Sequence, residues 1–112
     1  MKPQQLDIAA PGSWILGTYQ TNGQLSWYFL GGTSMASPHV AGVAALMLQK
    51  NKNLSQSTVE SILKTTAILF SSSSASVFNP RTLAAENVTW GTDATGSGLM
   101  DAKAAVSAVS NP

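Results

Sequence analysis

The run Val40-Ala41-Gly42-Val43-Ala44-Ala45-Leu46-Met47-Leu48 constrains this chain more than any other part of it. It holds no charged or polar side chain, so a helix built from it is apolar on every face and needs cover on every face. It is also far short of the roughly twenty apolar residues that cross a bilayer, so the cover has to be protein. A chain of 112 residues makes a single domain, and the rest of it offers little bulk to enclose such a helix. The expectation is a buried helix belonging to a body larger than this polypeptide supplies.

The neighbouring segments read as follows. Leu6 to Gly12 is a short extended stretch stopped by Pro11-Gly12. Trp14–Tyr19 and Leu25–Leu30 are aromatic-rich runs flanking Asn22-Gly23, a pair suited to the positive φ angles of a tight turn, which predicts an antiparallel hairpin. Gly31-Gly32 ends the second run, and the central helix follows to about Gln49, closed by Lys50 and Lys52 at the negative end of its dipole. Ser55 is an N-cap for a second helix ending near Ala67, with Val59, Ile62, Leu63 and Thr66 as its buried stripe. Residues 68–95, with the serine tract 71–74 and the Asn79-Pro80 pair, read as an irregular insertion. Gly96 to Met100 reads as a short strand, and Asp101 as the cap of a last helix buried through Ala102, Ala105, Val106 and Val109.

Charge and composition exclude several roles. The net charge is +1 and the six Lys and Arg are scattered, so there is no basic patch for nucleic acid. Cysteine is absent, which removes disulfides and thiolate metal sites. The first five residues lead into no apolar stretch, so no signal peptide is expected there. Two triplets, Asn53-Leu54-Ser55 and Asn87-Val88-Thr89, fit the N-glycosylation pattern, which acts only in a eukaryotic secretory setting. The chain has one histidine, His39.

Chemistry concentrates in Gly31 to Gly42, a glycine turn that opens a helix. Glycines ahead of a hydroxyl leave room for a substrate backbone, and the free N–H groups of a first helical turn can hold a developing oxyanion. The same geometry suits an ordinary capping serine, so the physics alone leaves both roles open.

The run Gly32-Thr33-Ser34-Met35-Ala36-Ser37-Pro38-His39-Val40-Ala41-Gly42 resembles the nucleophile segment of the subtilisin-like serine proteases over eleven consecutive positions. Asp7 to Gly12 is similar to the strand that precedes that segment in the family. Leu54–Ala67 resembles the surface helix after it, and Gly96–Ala102 the closing strand and helix. Gly31 departs from the pattern, standing where a small polar residue is usual.

The resemblance implies an α/β fold. This chain would be the C-terminal part of a subtilisin-like parallel-sheet sandwich, with a β-hairpin, a long buried helix, two peripheral helices and two or three strands of the sheet. Residues 1–112 would be one partial peptidase domain, incomplete as a lone chain. It also implies peptide-bond hydrolysis through an acyl-enzyme on Ser34, with Gly32 and Thr33 supporting the turn and the oxyanion, and Leu30 and Met35 close to the substrate. The family orders its triad Asp, His, Ser along the chain, yet no histidine precedes Ser34 and Asp7 is the one acidic residue there. His39 lies five residues after Ser34, about 140° round a helix, so the two side chains do not face each other. The expected role of His39 is packing or a structural hydrogen bond. The expected activity of the chain alone is negligible.

The implied partners are a protein or peptide substrate and the N-terminal part of the domain, with neither nucleic acid nor membrane. A split protease and a non-catalytic interaction module are the alternatives. Many relatives bind calcium, but apart from Asp7 no acidic cluster suggests a site, and no cofactor is assigned. The implied location of the parent protein is secreted or periplasmic. One internal conflict remains. Helix rules start the central helix at Ser37 with Pro38 in its first position, whereas the resemblance starts it near Ser34 with Pro38 in the second turn. The earlier start is the expectation adopted.

Overall fold

The computed structural model of the chain describes residues 6–69, 73–79, 81–91 and 94–112. Its named elements run β1 (Ile15–Thr21), β2 (Gln24–Leu30), α1 (Thr33–Lys50), α2 (Gln56–Thr65), β3 (Ser73–Asn79), β4 (Ala84–Trp90) and α3 (Ala102–Ser107). The fold is mixed α/β.

β1 and β2 form the expected antiparallel hairpin, in a register that pairs Ile15 with Leu30 and Thr21 with Gln24. Its turn is Asn22-Gly23, both at positive φ (50° and 78°), as a two-residue turn matched to strand twist requires. The alternation that the run from Trp27 to Leu30 lacks has a structural cause, because both faces of this hairpin are apolar. One face carries Ile15, Tyr19, Tyr28 and Leu30, and the other carries Leu16, Leu25, Trp27 and Phe29.

α1 begins at Thr33 with Gly32 as its N-cap, so the early start is the one observed and Pro38 lies inside the helix. α2 and α3 carry the caps expected of them: Ser55 accepts from the Thr58 N–H at 3.2 Å and Asp101 Oδ1 accepts from the Ala104 N–H at 3.0 Å. The core gathers where these three helices meet, from Val43, Met47, Leu63, Met100, Ala105 and Val109, with Ile8, Val40, Val59 and Ile62 packed against it. Lys50 Nζ adds a bond to the Val106 carbonyl at 3.0 Å, tying the end of α1 to α3.

Four expectations need correction. Residues 68–95 are not irregular: they hold the β3–β4 hairpin, in which Ser73 pairs with Trp90 and Asn79 with Ala84. The serines mask it because they are turn-formers, whereas the β-branched Val88 and Thr89 supply the strand signal opposite them. The parallel sheet is represented among the described residues by one parallel bridge, Ala9 to Leu99, and Gly96–Met100 forms isolated bridges rather than a named strand. The central helix is not buried all round. It buries the stripe through Val43 and Met47, while Leu46 is 50% exposed, because α2, α3 and the Ile8–Ala10 segment cover one side only. Finally, Ala102 is exposed, and α3 buries Ala105 while Val109 packs from just beyond its end.

The incomplete cover is visible in the dimensions. The radius of gyration is 16.4 Å, against about 13 Å for a compact domain of this length. The outer face of the first hairpin stays open, with Leu25 80% and Trp27 66% exposed.

Candidate active site

The site is built where the first hairpin hands over to α1. Gly12 and Gly32 make the close approach that fixes it: the Gly32 N–H donates to the Gly12 carbonyl at 2.7 Å. Gly32 has φ 142° and ψ 170°, a conformation that side-chain-bearing residues rarely adopt, and the chain turns there directly into the helix. The Met35 and Ala36 N–H groups both return to the Gly32 carbonyl, at 3.0 and 3.3 Å. The N–H groups of Thr33 and Ser34 make no such bond among the described residues, as expected of the first positions of a helix.

Ser34 is therefore exposed in the first turn of α1, and its hydroxyl has no hydrogen-bond partner among the described residues. It lines a cavity of about 350 Å³ between the inner face of the hairpin and the start of α1. Leu30 and Met35, the two residues expected near substrate, line the same cavity, as does His39. Thr33 lies on the other side of the helix, against a groove shared with Ile8, Ala10 and Val40. Thus the structure brings Ser34, Leu30 and Met35 together, places Gly32 at the N-cap two residues before Ser34, and leaves the Thr33 side chain facing away from that cavity.

The sequence reading did not single out Ile15, Tyr19, Tyr28 and Pro38, which also line the cavity. The signal was present in the hairpin. Once Asn22-Gly23 fixes the register, every second residue from Ile15 to Tyr19 falls on the same face as Tyr28 and Leu30. Pro38 follows from its place one helical turn beyond Ser34.

The one imidazole of the chain is not joined to this hydroxyl. His39 Nδ1 lies 2.7 Å from the Met35 carbonyl, four residues back on the same helix. A carbonyl only accepts, so Nδ1 is the donor. Asp7 is occupied elsewhere, in a surface ion pair of 3.1 Å with Lys64. No His–Asp relay is therefore assembled among the described residues. Nor do three or more His, Asp or Glu side chains come together there as a metal centre, and no helix among them is long and apolar enough to cross a membrane.

Comparison with known proteins places this geometry in context. The chain matches the subtilase family over residues 1–106. It is 48% identical over 62 residues to thermitase from Thermoactinomyces vulgaris, a match covering 55% of this chain and 20% of that protein. It is 51% identical over 63 residues to subtilisin DY from Bacillus licheniformis, covering 56% of this chain and 22% of that one. Among solved structures, a protease from Pseudoalteromonas arctica superposes with a TM-score of 0.71 at 36% identity, over 94% of this chain and 30% of that chain. The chain thus spans about a fifth of the length of these curated relatives.

Proposed function

This chain belongs to the subtilase family, and on that premise we propose that it is the nucleophile-bearing part of a serine endopeptidase whose proton acceptor lies outside these 112 residues. Ser34 Oγ attacks the scissile carbonyl of a protein or peptide and its proton passes to a base supplied by the remainder of the domain; that base then gives the proton to the departing amine as the C–N bond breaks, which leaves the acyl group on Ser34. The Ser34 N–H donates to the oxyanion, at the positive end of the α1 dipole. Leu30 and Met35 border the substrate. Gly32 holds the turn that presents the hydroxyl, and the Thr33 N–H, also in the first helical turn, supports the same oxyanion. Residues 1–112 are one partial peptidase domain in this reading.

The observation that carries it is an exposed, unengaged hydroxyl on a helix-start amide, opening on a cavity of about 350 Å³. The 2.7 Å bond from His39 to Met35 supports the second half of the proposal, because it commits that imidazole to the backbone rather than to Ser34. The open apolar face of the hairpin, with Leu25 and Trp27 exposed, supports work in association with further polypeptide.

The test is complementation. The 112-residue chain is refolded with a polypeptide comprising the part of thermitase upstream of the matched region, and hydrolysis of a chromogenic peptide is followed. Cleavage that needs both pieces and vanishes with Ser34→Ala supports the reading. Cleavage that survives Ser34→Ala, or a complex that forms without any cleavage, overturns it and favours the interaction module.

A further inference from the structure

The turn that carries Ser34 sits at a fault in its own helix. Pro38 has no N–H, so the Ser34 carbonyl lacks the donor that would otherwise join the first turn to the second, and the proline ring crowds that carbonyl as well. Upstream, the turn is anchored by bonds to Gly32 and Gly12. Downstream, the ladder has lost the rung that starts at the nucleophile itself.

The neighbouring rung is reinforced. His39 is half-buried, and its Nδ1 donates to the Met35 carbonyl at 2.7 Å, a short bond for a nitrogen donor. Met35 and His39 stand beside Ser34 and Pro38 on the wall of the one cavity, so the added bond spans the same gap that the proline opens.

We propose that His39 is a positioning residue for the nucleophile: its imidazole, bonded to the Met35 carbonyl, braces the helix beside the rung that Pro38 removes and so holds the Ser34 turn in register with the rest of α1. The inference rests on the reading of Ser34 as the nucleophile. It assigns to His39 no contact with substrate and no proton transfer.

The experiment uses the complemented assembly and four variants. His39→Phe keeps ring bulk without the donor, and His39→Asn keeps a donor nitrogen the same number of bonds from the backbone. His39→Gln moves that nitrogen one bond further out, and Ser34→Ala is the control. Losing one neutral hydrogen bond from the positioned state lowers kcat and the rate of fluorophosphonate labelling about two- to tenfold in His39→Phe, with KM unchanged. His39→Asn restores both, His39→Gln does not, and the pH profile of His39→Asn keeps the shape of the wild type. Equal rates in wild type and His39→Phe, no rescue by Asn, a loss confined to KM, or a pH profile that loses a limb with His39→Asn each overturns the inference.

Should His39→Phe fail to fold, the Asn and Gln pair and the imidazole ¹⁵N spectrum of the wild-type chain decide it. A protonated Nδ1 is expected, and an unprotonated one refutes the proposed bond. Wild-type labelling no faster than Ser34→Ala refutes the nucleophile reading itself, an outcome distinct from all of these.

Discussion

Gly12→Ala tests how the turn before the helix is held. A Cβ at position 12 would lie 2.7 Å from the Gly32 carbonyl oxygen and 3.2 Å from the Ala36 Cβ. Both neighbours belong to the helix start, and the first is backbone, so the clash cannot be relieved by a side-chain rotation. Overpacking of this kind costs about 1–3 kcal/mol. The displacement would also stretch the 2.7 Å bond from the Gly32 N–H to the Gly12 carbonyl, which contributes about 0.5–1.5 kcal/mol.

Gly31→Ala is the matched control. Its Cβ would meet nothing nearer than the Gly12 carbonyl oxygen at 3.5 Å, ordinary contact, and its φ lies outside the glycine-favouring region. That substitution is neutral or stabilises by up to about 1 kcal/mol through the unfolded chain. Urea unfolding followed by tryptophan fluorescence should therefore move the midpoint down for Gly12→Ala and leave it level or higher for Gly31→Ala. In the complemented assembly, Ser34 labelling should slow for the first variant only. Equal midpoints for the two alanine variants, or a Gly12→Ala protein labelled at the wild-type rate, would refute the claim that this backbone contact fixes the Ser34 turn.

Three further substitutions probe the supporting structure. Met47→Ala empties a fully buried position between the helices and should cost about 2–5 kcal/mol, read as a lowered urea midpoint. Asp101→Ala removes the 3.0 Å cap on Ala104 and should cost about 0.5–2 kcal/mol, concentrated in faster hydrogen exchange across Ala102–Ser107. Asp7→Asn breaks the ion pair with Lys64, whose side chains are 66% and 37% exposed, and should shift stability by less than about 1 kcal/mol, with the difference shrinking in added salt.

Legibility of the fold in the sequence followed the physics of each signal. Local signals held: Asn22-Gly23 specified the hairpin turn, and Ser55 and Asp101 specified helix starts, because each acts through backbone bonds within a few residues. The start of α1 was a contest between two local rules. The observed start at Thr33 shows that Pro38 is tolerated in the second turn, where Gly32 already anchors the first. β3 and β4 were illegible because their pairing is stabilised by strand–strand bonds across exposed, serine-rich faces, and a hydrophobic period appears only where one face is buried.

The site was legible in part for the same reason. Gly32 and Ser34 lie in one contiguous segment, and the i to i+5 separation was enough to predict a structural bond for His39 rather than one to Ser34, although the two line one cavity. The cavity partners Tyr19 and Tyr28 come from the hairpin, and only its register brings them to Ser34. The apolar helix carries apolar residues all round, which predicts cover from a body larger than this chain. These 112 residues cover the side through Val43 and Met47 and leave Leu46 and Leu48 open.

The most direct measurement is mass-spectrometric mapping of a fluorophosphonate adduct on the intact chain, alone and with the upstream polypeptide present. The account predicts an adduct on Ser34 that appears at an enzymatic rate only in the complemented sample. Rapid modification of Ser34 in the chain alone would mean that a proton acceptor is already in place within it, and would contradict the account.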